Sequence, residues 1–381
     1  MKMLDAVVSE KLGFRYGEPQ RLDQQSLAVV LPILRQTTIP RLYTTFPECQ
    51  EKVLIFDTGK IDRMEAHNQT DQNVFMRSGT LFKGATQERA LQQSVVLYPQ
   101  EKVGIAVRCV HASRGINPSS KVSYGGVTPL DFDQKIYDHE YNPANQSVYW
   151  SSVTETTKMF SNLTGKKPVG KKHVSNFPRG RGQSMGGHIK SSYTSGVDSG
   201  MQKMSSFHDG LHDAPDMEAA PIASVFAEGM MGGSDYAPGE DDLASHLDDF
   251  ATSFDSLLSK LELQKNQVGL GLITQDGVQT IEFFDHEHSW KALHDSAIKR
   301  IGSHVVSKAD PSVFEYKPEH AKAQINKILE MDWKTKKIWE HKPSNGEAHV
   351  CITSLSADRY VGELVEINKV LLHLVILKRA A

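Results

Sequence analysis

Four side chains with chemistry to offer gather in one stretch, Val74 to Gly115: Gln87, Arg89, His111 and Arg114. Two guanidinium forks can enclose a phosphate or a carboxylate through charge-assisted hydrogen bonds. The amide of Gln87 presents donors and an acceptor and would select a ligand's orientation. His111 carries the side chain whose ordinary pKa lies nearest neutrality, which suits an acid or base. As many as 27 positions separate Gln87 from Arg114, so such a site needs convergence from separate turns. The plainer reading is equally physical: Gln87 and Arg89 would tie a loop to backbone carbonyls. Cys109 sits on an apolar run and reads as a small buried hydrophobe rather than a nucleophile.

The elements that must position these groups are strands. Val74 to Met76 and Val95 to Tyr98 are short β-branched and aromatic runs, and Val103 to Val110 alternates as a half-buried strand does. Upstream, SLAVVLPIL reads as the first core strand, followed by KVLIFDTG, KIDRMEAHNQ and NVFMRSG with turns at Asp57 to Gly59 and Asn68 to Asp71. Strands here do not alternate with long helices, which disfavours a doubly wound parallel sheet. Further on, Leu243, Leu247, Phe250, Phe254, Leu257, Leu258 and Leu261 recur every three or four residues, with Asp241 or Asp242 to cap the helix. QVGLGLITQDGVQTIEFF reads as a hairpin about Asp276-Gly277. Asp285 then caps a helix reaching about His304, another helix covers Glu319 to Met331, and the tail forms a three-strand meander turning at Asn368-Lys369.

Charge divides the middle of the chain. From Lys158 to Lys203 nine Lys or Arg stand against one acid, Asp198, among many Gly and Ser; from Asp209 to Asp255 there are twelve Asp or Glu and no Lys or Arg. Such segments cannot bury a core of their own. The basic block, with Phe177, Arg179, Arg181, His188 and Tyr193 interleaved, is the place where a nucleic-acid backbone would be gripped, although a solvated loop is the favoured reading. Metal is not expected. His208 and His212 stand four apart beside Asp209 and Asp213, but Gly210 and Pro215 oppose the helix they would need. Asp285, His286, Glu287 and His288 read as a solvated first turn. No nucleophile elbow, Walker loop, zinc-protease motif or dinucleotide fingerprint occurs.

The chain of 381 residues, with 39% hydrophobic and 23% charged residues and a net charge of -3, is globular in composition and shows no global bias towards nucleic acid or membrane. Neither end reads as an export signal or a membrane span. Cys49, Cys109 and Cys351, odd in number and widely spaced, suit a reducing cytoplasm.

In order along the chain, GTLFKGATQERAL with VVLYPQEKVGIAVRCVHASRG, then QSVYWSSV at Gln146 to Val153, then residues 267–295 resemble the domain family associated in gene neighbourhoods with ADP-ribosyl glycohydrolases and rhodanese or phosphatase proteins, the ARPP domain. The resemblance runs from Pro40 to Leu374 with one poorly matched interval. The chain departs from that family's pattern at Glu88 for Asn, His111 for an acidic residue and Gly115 for Trp. The resemblance implies a cytoplasmic protein that binds or processes an ADP-ribose-like or other phosphorylated nucleotide metabolite. Arg89 and Arg114 would then be anion contacts, Gln87 the selector and His111 the acid or base; no particular cofactor is implied. The competing reading is a non-enzymatic interaction or assembly protein, oligomeric through its charged excursion. The expected fold is α+β: a mainly antiparallel sheet core with two or three packed helices. Residues 1–381 would form one unit, with a β-rich part at 26–157, the excursion at 158–240 and the helix, hairpin and meander at 241–381.

Overall fold

The computed structural model describes residues 13–21, 28–36, 39–83, 88–110, 121–137, 143–165, 243–307, 318–341 and 348–380. The chain begins with β1 (Phe14–Tyr16), β2 (Gln20–Arg21), β3 (Ala28–Arg35), β4 (Tyr43–Thr45) and the single turn α1 (Phe46–Cys49). Next come β5 (Val53–Lys60), β6 (Arg63–Asn68), β7 (Asn73–Met76), β8 (Thr80–Lys83), β9 (Arg89–Leu91), β10 (Val95–Leu97), β11 (Lys102–Cys109) and β12 (Lys121–Val127). Helices α2 (Leu130–Ile136), α3 (Gln146–Thr164), α4 (Leu243–Ser253) and α5 (Asp255–Leu258) follow. The remainder is β13 (Gln267–Thr274), β14 (Gly277–Phe284), α6 (Glu287–Ser307), α7 (Pro318–Leu329), β15 (Lys334–His341), β16 (Val350–Ala357), β17 (Tyr360–Ile367) and β18 (Val370–Lys378).

These strands make three sheets. A nine-stranded sheet runs β1-β3-β13-β14-β18-β17-β16-β15, with β2 also on β3; β11-β6-β5-β12-β8-β9 close into a barrel; β10-β7-β4 form a small sheet. Among the described strands only β4 and β7 pair in parallel, so the antiparallel α+β reading of the sequence holds. β3 is an almost wholly buried apolar run, AVVLPILR, and β13 pairs along it. The meander turns where the sequence says it should: Asn368 and Lys369 have φ of 53° and 64°, the paired left-handed conformation of a two-residue hairpin whose twist matches its strands.

The structure adds elements that periodicity did not reveal. QSVYWSSV opens the 19-residue helix α3, started by Asn145, whose side chain accepts from Val148 N at 3.1 Å, and ended at Gly165 with φ 67°. β15, with the sequence KTKKIWEH, pairs with β16 at the edge of the large sheet and leaves its lysines exposed. Charged side chains on an edge strand discourage pairing with another chain. Asp241 and Asp242, the expected caps of α4, lie outside the described residues; the carboxylate of Glu88, 155 positions away, accepts from Leu243 N at 2.7 Å and Ala244 N at 3.0 Å.

All described residues belong to one compact unit of the chain, Met1–Gly170 with Tyr236–Ala381. One buried apolar cluster draws on both halves, with Val30, Phe75, Leu81, Leu130, Trp290, Val361 and Leu377 among its members. A second fills the barrel with Ile55, Met64, Phe82 and Val107, and a third lies beneath α7 with Ile325, Leu329 and Leu364. Burial of this kind is worth roughly 1.5–3 kcal/mol for each large side chain. The core thereby fixes where polar side chains from distant segments must meet. No helix among the described residues is long and apolar enough to cross a membrane.

Candidate functional site

Of the residues that the sequence singles out, Gln87, His111 and Arg114 lie outside the described residues, as do residues 166–203 of the basic block and the His208–His212 pair. Arg89 is described. It starts β9 fully buried, with Nη2 3.4 Å from Asp57 Oδ2 across the barrel. It pairs in register with Cys109, itself buried, and Val110 N donates to Glu88 O at 3.2 Å. Gln146 of QSVYWSSV holds the same strand end, accepting from Cys109 N at 3.2 Å and donating to Cys109 O at 2.6 Å. The side-chain amide thus replaces a neighbouring strand, and burial here leaves the backbone no water to bond.

Deeper, an ion network joins the barrel side to the large sheet. Arg77, between β7 and β8, donates through Nε and Nη2 to both oxygens of Glu282 on β14, and through Nη1 to the Ser78 carbonyl. His373 Nε2 of β18 is 3.2 Å from Glu282, and Arg300 Nη1 of α6 is 3.6 Å from it. Arg300 also donates to Asp133 of α2 at 3.1 Å, and Thr128 Oγ1 donates to the same carboxylate at 2.5 Å. Ser94 N donates to Glu363 of β17 at 3.2 Å, and the Ser94 hydroxyl accepts from Ser78 N at 2.9 Å. Gly79, with φ +76°, lets the loop turn through this crowd, where a Cβ would collide with Thr128 Oγ1. Burial would raise Glu282, but Arg77, His373 and Arg300 outweigh it and hold the carboxyl well below its ordinary range. Burial wins at Glu363, which is raised, and lowers His373 despite Glu282. Buried, with Arg77 and Arg300 facing Glu282 and Asp133, this cluster is suited to holding elements together.

The reactive arrangement lies one step along β14, at the strand-to-helix turn. Asp285, 5% exposed, follows the last strand residue and precedes α6. Tyr43 Oη donates to Asp285 Oδ1 at 2.6 Å, and Ser289 Oγ donates to Tyr43 Oη at 2.8 Å. The Arg35 guanidinium, at the end of β3, donates to the Asp285 carbonyl and stacks on Phe14, 5.2 Å from the ring centroid. Arg41 lies 5.1 Å over the Tyr43 ring, its fork held by both oxygens of Glu48. The sequence reading has Asp285 as the helix cap, and the structure corrects it. His286 occupies the residue before the helix, its Nδ1 accepts from His288 N at 3.2 Å and lies 3.3 Å from His288 Nδ1, and the Asp285 carboxylate is turned to Tyr43. His286 is half-buried and His288 exposed. Among the described residues no group of three or more His, Cys, Asp or Glu is arranged to hold a metal.

Electrostatics sets Asp285 apart. Burial pushes it up to about 6, against the Tyr43 hydrogen bond and the charges of Arg35 and Arg41. Burial, followed by Asp285, drives the Tyr43 hydroxyl well above its ordinary value, so it stays a donor. Burial lowers His286, and His288 and Arg41 lower it further. At neutral pH the cluster therefore holds a carboxylate that exchanges protons readily, two fixed guanidinium groups and two imidazoles at the positive end of a 21-residue helix. Such a set can hold or release one proton near neutrality.

Fold and cluster together define an α+β protein with a buried ion network and, just past β14, a buried carboxyl, Asp285, that accepts from a phenol. The chain belongs to the family described as ARG and Rhodanese-Phosphatase-superfamily-associated Protein domain, ARPP-1, whose model matches residues 13–377. No curated protein and no solved structure matches it. Sequence reasoning singled out neither Tyr43 nor Arg35 nor Arg41. The one signal was indirect: Arg35 ends an apolar strand and Arg41 stands two residues before another, positions where a cation is presented at a sheet's margin.

Proposed function

We propose that the protein binds a phosphorylated, nucleotide-like metabolite of the ADP-ribose class at the cluster around Asp285. The observation that carries this reading is a nearly buried carboxyl that titrates close to neutrality within the fields of two arginines, Arg35 at its own carbonyl and Arg41 over the Tyr43 ring, with His286 and His288 next along the chain. Guanidinium groups held in place by stacking lose little freedom when a phosphate arrives, which favours recognition of a diphosphate. The helix terminus adds its own partial positive charge. The family is associated with ADP-ribose and rhodanese-phosphatase-superfamily systems, which supports this class of ligand.

The test is a thermal-shift and calorimetric screen of the full chain with ADP-ribose, AMP and inorganic pyrophosphate. ADP-ribose should raise the melting temperature in a saturable way, as mass action requires of a ligand that binds only the folded state. Arg35→Ala should weaken binding by about 1.5–3 kcal/mol, the range for a hydrogen bond to a charged group. A flat response to all three ligands would overturn the reading.

A further inference from the structure

We infer that a phosphorylated ligand, on seating against Arg35 and Arg41, draws one proton from solvent onto Asp285 and so arms that residue as a general acid. The inference rests on the binding site proposed above. It begins from the groups packed around the carboxyl. Tyr43 from β4 donates to it; Ser289 from α6 steadies the tyrosine; Arg35 from β3 holds its carbonyl; Arg41 covers the tyrosine ring and is tied to Glu48; His286, Glu287 and His288 follow it in the chain. Burial alone would carry Asp285 higher than about 6; the Tyr43 hydrogen bond, then the charges of Arg35 and Arg41, hold it down.

A bound diphosphate changes one term in that balance. Its charge cancels the field of the two arginines at the carboxyl and adds a like charge close by, and both effects favour the neutral acid. The Tyr43 hydroxyl can go on donating to the carbonyl oxygen of the protonated acid, a weaker bond than to the carboxylate, while it accepts from Ser289. The reaction is a plain protonation: Asp285 carboxylate takes a solvent proton and becomes the carboxylic acid, while no bond in the ligand is made or broken. The acid then sits next to the phosphorylated group that summoned it, and loses the proton again when that group leaves.

Calorimetry of the full chain with ADP-ribose, in a series of buffers with different ionisation enthalpies, reads the proton directly. The diphosphate of ADP-ribose does not titrate near neutral pH, so proton uptake belongs to the protein. Near pH 7 the observed enthalpy should rise with buffer ionisation enthalpy, a net uptake of between zero and one proton. Asp285→Asn should abolish the slope. Affinity of the unaltered protein should fall with rising pH, by at most ~tenfold per pH unit for a single proton. Binding without a buffer-dependent enthalpy, or a slope that survives in Asp285→Asn, overturns this inference and leaves the binding site standing. Absence of any heat or thermal shift with ADP-ribose removes both.

Discussion

Replacing Arg77 by Met would probe the ion network most directly, because the methionine stem keeps the packing while the charge goes. Arg77 makes two hydrogen bonds to the Glu282 carboxylate and one to the Ser78 carbonyl, and both partners of the ion pair are almost completely buried. Removing one partner of a buried ion pair costs about 3–5 kcal/mol, since the other charge is left in a medium that cannot solvate it. Glu282 retains His373 at 3.2 Å and Arg300 at 3.6 Å, which places the expected loss near the lower end, about 3 kcal/mol. Urea denaturation at neutral pH measures it as a fall in midpoint at constant slope. The pH dependence carries the signature. Glu282 is held below its unfolded value, so its share of stability is present above the ordinary carboxylate range and is lost as pH falls through the folded value. In Arg77→Met most of that share is already gone, so the difference between the two proteins should shrink on acidification. A loss under about 1 kcal/mol, or one that does not change with pH, would refute the reasoning and point to a network whose members interact weakly.

Other consequences follow from single residues. Glu363 is fully buried with its carboxyl raised, so stability associated with it is present at low pH and is lost as pH rises through the folded value; Glu363→Gln should therefore resist urea better at pH 8 than the unaltered protein, and worse resistance there would contradict the shift. Glu88→Ala removes the acceptor for the first two described N–H groups of α4 and should cost about 0.5–2 kcal/mol, with faster amide exchange over residues 243–253; unchanged exchange would mean the cap is supplied elsewhere. Arg89→Ala strips Asp57 of a buried partner and should lower the melting temperature with or without nucleotide; a variant that melts normally and binds ADP-ribose weakly would restore Arg89 as a ligand contact. Tyr43→Phe deletes the donor to Asp285 and should move that carboxyl above about 6 in a carbon-13 titration, and a downward move would show that the hydroxyl does not act as drawn.

The strands were legible where composition and geometry agree. AVVLPILR, the hairpin about Asp276-Gly277 and the Asn368-Lys369 turn each carry a local reason for their conformation, and each was read from sequence alone. α3 was not, because QSVYWSSVTETTKMFSNLT mixes β-branched, aromatic and hydroxylated residues that favour strands in isolation; contacts with α2 and α4 settle it as helix. β15 was missed because its lysines give no apolar alternation, which is the same property that protects an edge. The clusters were harder still. Glu88 and Leu243 are 155 positions apart, Arg77 and Glu282 are 205, and Tyr43 and Asp285 are 242, so no local pattern could announce their pairing. Asp285 looked like a cap since an aspartate before a helix commonly is one; the buried hydroxyl of Tyr43 offered it a better partner, and the neighbouring imidazole took over the backbone.

Glu282 and Asp285 show how one strand end can yield two carboxyl groups of opposite habit. Strand alternation turns Glu282 inward, into the row occupied by Val375 and Glu363 on the neighbouring strands, where a guanidinium fork meets it and holds it ionised. Three positions later the strand has ended, and the Asp285 carboxylate accepts from a phenol instead of a guanidinium fork, so burial dominates and its proton becomes labile near neutrality. Phe75 and Phe284, in edge contact at 5.7 Å, stand between them, with His373 against both rings on the inner side and Tyr43 against Phe75 on the outer. An apolar layer of this kind keeps water away from Asp285, and that burial is what raises its carboxyl. Opening it, for instance with Phe284→Ala, should admit water to the carboxyl, relieve part of the burial that raises it and draw Asp285 below about 6. A carbon-13 titration of Asp285 in that variant checks the direction; a value unchanged or raised, in a protein that still unfolds cooperatively, would show that the aromatic layer fills space without insulating the carboxyl.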